Sequence, residues 1–113
     1  MTGCIFCKIA SREISSEIVF ENDEFTAFKD INPKSKIHIL LVPKRHIPRI
    51  ADISKDDAEL MGKMMLQAKF LAEQLGVADS GYKLIINSGP DGGQIVDHLH
   101  LHILGGEKVG GAV

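Results

Sequence analysis

The sequence lacks the features that mark membrane, secreted and nucleic-acid-binding proteins. No apolar run approaches the roughly 20 residues that a bilayer-spanning helix needs, and no basic segment followed by an apolar stretch opens the chain as in a secretory signal. The formal net charge is only −2, so bulk electrostatics give no reason to expect long nucleic acids as partners. We therefore expect a cytoplasmic protein. Any small anionic ligand would be held by hydrogen-bond donors at its own site rather than by the overall charge.

Cysteine is also scarce. The chain has two cysteines, Cys4 and Cys7, in a C-x-x-C spacing. In a reducing compartment this spacing favours metal binding or redox chemistry over a structural disulfide. No thioredoxin-like βαβ pattern surrounds the pair, which makes redox chemistry the weaker interpretation, and two free thiols are a further alternative.

The 113 residues are enough for one domain with a modest core, and they contain no internal repeat. The main helix is expected to begin after Ser54, with acidic residues in its first turn, and to stop at Gly76. A short helix is expected over residues 5–11. Strands are expected over residues 17–21, 24–29, 37–42, 82–88 and 98–104. The order predicts an α+β fold: an antiparallel sheet of about five strands, one long helix and a short N-terminal helix.

The most informative segment is His98-Leu99-His100-Leu101-His102. Successive side chains of a strand point to opposite faces, so the three histidines share one face and the leucines share the other. The leucine face has an obvious structural role in the core. Three imidazoles in a row pack no better than valines would, so this face indicates a functional site.

Two kinds of chemistry fit three histidines on one face. They could bind a metal ion, because His-x-His on a strand aims two rings at one point. They could instead supply a nucleophile and proton donors, because neutral imidazole is nucleophilic near pH 7. The preceding loop, residues 88–94, contains glycines whose backbone N–H groups could approach a phosphate closely, and it favours phosphate chemistry.

These residues resemble the histidine triad family. The signature His98-Leu99-His100-Leu101-His102-Ile103-Leu104 matches, and so do Phe28-x-Asp30-Ile31-x-Pro33, His38-x-Leu40-x-Val42-Pro43, and Gly92-Gly93-Gln94-x-Val96. Leu104-Gly105-Gly106 is typical of the Hint branch. The resemblance runs from about Cys4 to Gly106 and implies a single histidine triad domain over residues 1–113.

The resemblance implies a two-step displacement at the α-phosphorus of a purine nucleotide. His100 would attack and form a nucleotidyl-imidazole, His102 would serve the leaving group, and His38 would complete the catalytic cluster. Asp30 would accept hydrogen bonds from the ribose. Backbone N–H groups from Gly93 to Val96 would stabilise charge on the phosphate. The remaining nucleotide-binding residues implied are Ile5, Phe6, Ile9, Phe28, Ile31 and Leu40 around the base, with Asn87 and Gln94 near the phosphate.

The resemblance also bears on the cysteine pair. A tetrahedral zinc site needs two more ligands, which must be histidines because no cysteine remains. Cysteine-containing members of the family imply His46 and His98, which would make a structural Cys2His2 zinc site with no catalytic metal. A homodimer is likewise expected from the family.

Two positions depart from the family pattern. Ile95 stands where some Hint proteins carry serine, so only its backbone can act there. The tail of residues 107–113 lacks the Trp-Pro-Pro ending of animal Hint proteins, which leaves the leaving-group preference open.

The favoured activity is hydrolysis of nucleoside 5′-phosphoramidates. The alternatives are dinucleoside polyphosphate hydrolysis, nucleotide binding without catalysis, and a metallohydrolase that uses the triad as ligands.

Overall fold

The computed structural model describes residues 3–111 as a five-stranded antiparallel sheet with helices on both sides of it. The strands follow the spatial order β1-β2-β3-β5-β4. The helices are α1 (Ile5–Ala10) and α2 (Ala58–Gln74), and the strands are β1 (Ile18–Glu21), β2 (Phe25–Lys29), β3 (Ile37–Pro43), β4 (Tyr82–Ile85) and β5 (Leu101–Gly105). This architecture confirms the α+β prediction.

The long helix begins and ends where its sequence signals lie. Ser54 and Asp57 form a reciprocal capping box, which satisfies backbone N–H groups that have no partner inside a helix. One 3-10 turn, Lys55–Asp57, separates this cap from α2. Gly76 follows the helix with φ at +78°, a conformation that glycine adopts at no steric cost. No helix among residues 3–111 has the length and apolar character needed to cross a bilayer.

The leucine face of the histidine segment packs in the core, as predicted, and this core is one of two apolar clusters on opposite faces of the sheet. Leu99, Leu101 and Ile103 are buried with residues of α2 such as Met64 and Leu71. The opposite face of the sheet carries a second cluster against α1. That cluster consists of Cys4, Phe6, Ile9, Phe28, Leu40 and Val42.

Two strands are shorter than expected. The strand predicted over residues 98–104 begins only at Leu101, and that predicted over residues 82–88 ends at Ile85. The register places Leu41 opposite Leu101, which puts Pro43 opposite Leu99. Proline has no N–H to continue the ladder, so regular pairing stops before the first two histidines. Of the expected tail, residues 112 and 113 lie outside the described range.

Candidate active site

A cavity of about 450 Å³ opens on the sheet face that carries the histidines. We call it the main cavity. One part is apolar, beside α1, and the other is polar, beside His100 and His102. The predicted nucleotide-binding residues that line it are Ile5, Phe6, Ile9, Phe28, Asp30, Ile31, Leu40, Asn87, Gly93, Val96, His100 and His102. The structure therefore brings together residues from across the chain around one space of ligand size.

Gln94 does not line the main cavity. Its side-chain oxygen accepts a hydrogen bond from Gly89 N–H at 2.8 Å. Its Nε2 donates to the carbonyls of Pro48 and Val96 at 2.8 and 2.9 Å. The expectation that this side chain positions a phosphate is therefore corrected: the amide is used to hold the loop in shape.

The backbone donors of the same loop also differ from the expectation. The N–H of Gly93 donates to Pro90 and that of Gln94 donates to Gly89, each at 3.0 Å. The N–H groups of Ile95 and Val96 have no acceptor among residues 3–111, and both residues line the main cavity. The expected four-residue row of phosphate donors thus narrows to these two.

His100 is buried, and one ring nitrogen has a fixed role. Its Nδ1 lies 2.7 Å from the carbonyl oxygen of His98. A carbonyl only accepts, so Nδ1 carries the proton and Nε2 of the neutral ring keeps a lone pair. This is the arrangement that a nucleophilic imidazole needs.

His38 and His102 form a directed hydrogen-bond chain. The N–H of Lys34 donates to His38 Nδ1 at 3.0 Å, so neutral His38 carries its proton on Nε2. That Nε2 lies 2.9 Å from His102 Nδ1 and 3.4 Å from Asp30 Oδ2. Since His102 Nδ1 accepts a hydrogen bond from His38 Nε2–H, neutral His102 carries its own proton on Nε2, where it can donate. His38 contacts His102 and does not line the main cavity.

Burial explains why both rings stay neutral. Burial lowers the pKa of His38, although the nearby Asp30 carboxylate acts in the opposite direction. Burial, followed by the neighbouring His100 and His38 rings, lowers the pKa of His102 to about 4. At neutral pH His102 therefore offers a neutral N–H rather than an imidazolium.

A second cluster joins the two cysteines to two histidines. The ligand atoms of Cys4, Cys7, His46 and His98 all lie within 4.8 Å of one another. The thiols lie 3.2 and 3.5 Å from His98 Nδ1, and Cys7 Sγ lies 3.4 Å from His46 Nδ1. The two Nδ1 atoms are 3.2 Å apart. Zinc bonds of standard length in a tetrahedron would separate ligand atoms by about 3.3 to 3.8 Å, so the donor set fits a tetrahedral metal ion.

The surroundings of this cluster suit a cation. His98 is fully buried, and its Nε2 donates to the Pro43 carbonyl at 2.7 Å, which leaves the Nδ1 lone pair facing the thiols. Burial, together with the hydrogen bond and charge of Cys4, raises the pKa of Cys7 to about 11. Two thiolates are costly here without a compensating positive charge, and a metal ion supplies one.

Phe6 connects this metal-binding cluster to the main cavity. It lies on α1 between the two cysteines. Its ring contacts Phe28, His98 and His100 edge to face, with centroid distances of 5.3, 6.0 and 5.0 Å. The segment that carries the thiols is thus also a wall of the cavity.

Several cavity residues were not predicted from the sequence. The segment after α1 carried no periodicity or motif that could have identified its residues. Lys29 and Asn32 flank the expected residues Asp30 and Ile31, and Ile95 was expected to act only through its backbone. The additional lining residues are Ile14, Ser15, Ser16, Lys29, Asn32 and Ile95.

Comparison with known proteins identifies the family of this chain. The model of the HIT domain matches residues 11–109. The purine nucleoside phosphoramidase of Escherichia coli K12 is 46% identical over 106 residues, which cover 94% of this chain and 89% of the relative. The chain therefore belongs to the histidine triad family.

Solved structures agree with the fold. A histidine triad protein from Clostridium difficile is 41% identical, with a TM-score of 0.96 over 100% of this chain and 98% of the other. A zinc-bound histidine triad family protein from Mycobacterium smegmatis is 27% identical, with a TM-score of 0.80 over 96% and 81% of the two chains.

Proposed function

We propose that this protein hydrolyses purine nucleoside 5′-phosphoramidates through a covalent nucleotidyl-His100 intermediate. The observation that carries the proposal is the hydrogen bond from His100 Nδ1 to the His98 carbonyl, because it frees Nε2 at the edge of the main cavity. The phosphoramidase activity named for the Escherichia coli relative supports the same reaction class.

In the first step, the Nε2 lone pair of His100 attacks the α-phosphorus, and the phosphorus–nitrogen bond breaks on the opposite side. The N–H groups of Ile95 and Val96 face the charge that develops on the phosphate oxygens. The departing nitrogen takes the Nε2 proton of His102, which is the donor left by the His38 hydrogen bond. Water then attacks phosphorus and gives one of its protons back to His102 Nε2, the bond to His100 breaks, and the nucleoside monophosphate is released.

The polar and apolar parts of the main cavity suit the two ends of a nucleotide. The apolar side chains Phe6, Phe28 and Leu40 form a slot for a planar base. Asp30 would bind the ribose, because its carboxylate can accept hydrogen bonds from the ribose hydroxyl groups. The Asp30 carboxylate also disfavours an anionic phosphate chain beside His102, so an amine leaving group is preferred to a polyphosphate.

We further propose that Cys4, Cys7, His46 and His98 hold a structural zinc ion. Bound zinc would supply cross-linking of the N-terminal segment to the histidine segment rather than catalysis, because four protein ligands leave no open position. The cytoplasm is the proposed location, where both thiols stay reduced.

A homodimer is also proposed. Its support is the set of exposed apolar side chains on α2 together with the unpaired edge strand β4. The α2 side chains are Met65, Leu66 and Phe70. Sedimentation velocity at two protein concentrations tests this assembly, and a monomer at both would contradict it.

A trapping experiment tests the catalytic proposal. The enzyme is mixed with adenosine 5′-phosphoramidate, quenched in alkali, and digested for mass spectrometry. An adenylyl group on the peptide that contains His100 is expected, and His100→Gln should show neither adduct nor turnover. Turnover by His100→Gln at the wild-type rate contradicts the mechanism. Faster turnover of diadenosine triphosphate than of the phosphoramidate contradicts the substrate class.

A further inference from the structure

A second pocket of about 340 Å³ lies beside His102, and we call it the side pocket. It shares Asp30, Asn32, Asn87, Ile95 and His102 with the main cavity, but His100 does not line it. The two spaces therefore meet at the ring that donates a proton.

The position of the side pocket is set by the register of the sheet. Leu40 and Ile85 both pair with His102, and Leu104 pairs with His38. Cross-strand partners share one face, so Ile85 and Leu104 continue the histidine face beyond His102. In an in-line displacement the leaving group departs on the side opposite the nucleophile. The side pocket lies where a leaving group protonated by His102 would go.

The chemistry of the side pocket changes along its length. Ile85, Ile95 and Leu104 give it apolar walls, while His38 and the Asp30 carboxylate line it beside His102. Lys34 also lines it, and this exposed side chain forms no ion pair with any residue between 3 and 111. A leaving group that fits would be apolar next to the departing nitrogen and negatively charged further out.

We propose that the side pocket binds the leaving group and selects an amine whose short alkyl substituent ends in a carboxylate, with Lys34 as the specificity-determining residue. This inference rests on the proposed phosphoramidate hydrolysis. Lys34, Ile85 and Leu104 also line a larger trough of about 960 Å³, which gives the far end of the substituent a route to solvent. A phosphate chain fits less well, because its first charged group would lie next to the apolar walls and the Asp30 carboxylate.

The test compares two adenosine 5′-phosphoramidates with the same N-alkyl chain, one ending in a carboxylate and the other in a carboxamide. The ratio of their kcat/KM values cancels any change in the basal rate. We expect the wild type to favour the carboxylate about fivefold, the size of a partly exposed ion pair. The preference should lie mainly in KM and should decrease at high salt.

Variants then assign the preference to Lys34. Lys34→Gln should bring the ratio to about 1, and Lys34→Arg should keep it. Lys36→Gln removes the same charge two residues away, at a side chain that lines neither pocket, and should keep the wild-type ratio. An equal loss of the carboxylate preference in Lys34→Gln and Lys36→Gln would show that the lysines attract the substrate only at long range, and it would overturn the proposed site.

The remaining outcomes separate this inference from the function on which it rests. Turnover of both compounds without a carboxylate preference overturns the inference and leaves the phosphoramidase function intact. No turnover of either compound overturns both. A third substrate, diadenosine triphosphate, has an ADP leaving group. If it is preferred to the carboxylate compound and loses that preference in Lys34→Gln, the anion recognised is phosphate and the proposal is wrong.

Discussion

Replacing His38 by Phe should slow only reactions whose leaving group needs a proton. The variant removes the donor that lies 2.9 Å from His102 Nδ1. A net hydrogen bond of this kind is worth about 1 to 1.5 kcal/mol. Its loss should lower the ratio of the Nε2–H to the Nδ1–H form of His102 by about tenfold, because 1.4 kcal/mol is a factor of ten in an equilibrium constant.

Two substrates with different leaving groups measure this effect. An alkyl phosphoramidate of AMP releases an amine, which must be protonated as the phosphorus–nitrogen bond breaks. The 4-nitrophenyl ester of AMP releases a stable anion and needs no proton. We expect kcat/KM in His38→Phe to fall for the amine, by about tenfold at most, and to change little for the nitrophenyl ester.

His38→Gln is the matched variant, because its amide N–H can still donate toward His102 and should recover part of the amine rate. Thermal unfolding of each variant checks that the fold is retained. An equal fall for both substrates would refute the reasoning, since it would mean that His38 acts on nucleotide binding or on the nucleophile.

Three further predictions concern stability. Cys4→Ser should remove about one zinc ion per chain and lower the unfolding midpoint by more than about 5 °C; unchanged metal content by mass spectrometry would contradict the site. The Leu99 side chain is fully buried, so Leu99→Ala should lower the free energy of unfolding in urea by about 2 to 5 kcal/mol. Ile95 is exposed, so Ile95→Ala should lower it by less than about 0.5 kcal/mol. Similar losses in the two variants would contradict the proposed core. Unfolding free energy should decrease as pH falls from 6.5 toward about 4, since the unfolded chain then binds a proton that folded His102 excludes; His102→Gln should flatten this dependence, and an unchanged slope would contradict it.

The face alternation of residues 98–103 could be predicted because it depends only on backbone geometry. In an extended segment, Leu99 and Leu101 point to the same face and pack in the core beside the helix, while the histidines point to the opposite face. The resemblance to a known family, rather than spacing, indicated which histidines would approach Cys4 and Cys7. The structure brings those four side chains together.

The hydrogen-bonding role of Gln94 could not be predicted. An amide near a glycine-rich loop suits phosphate binding and loop closure equally, and only the fold decides which acceptors it meets. The side pocket was hidden for a similar reason. Lys34, Ile85 and Leu104 are distant in sequence and become neighbours only through the order of the strands.

Two interrupted strand pairings explain why His98 and His100 differ in chemistry. Pro43 cannot donate to the ladder with β5, and β4 ends at Ile85, so regular pairing stops before His98 and His100 on both sides of β5. The carbonyl groups of Pro43 and His98 are then available to side chains. The Pro43 carbonyl takes the Nε2 proton of His98 and turns Nδ1 toward the thiols. The His98 carbonyl takes the Nδ1 proton of His100 and leaves Nε2 free. The same type of hydrogen bond, made at opposite ring nitrogens, therefore prepares His98 for a metal ion and His100 for phosphorus.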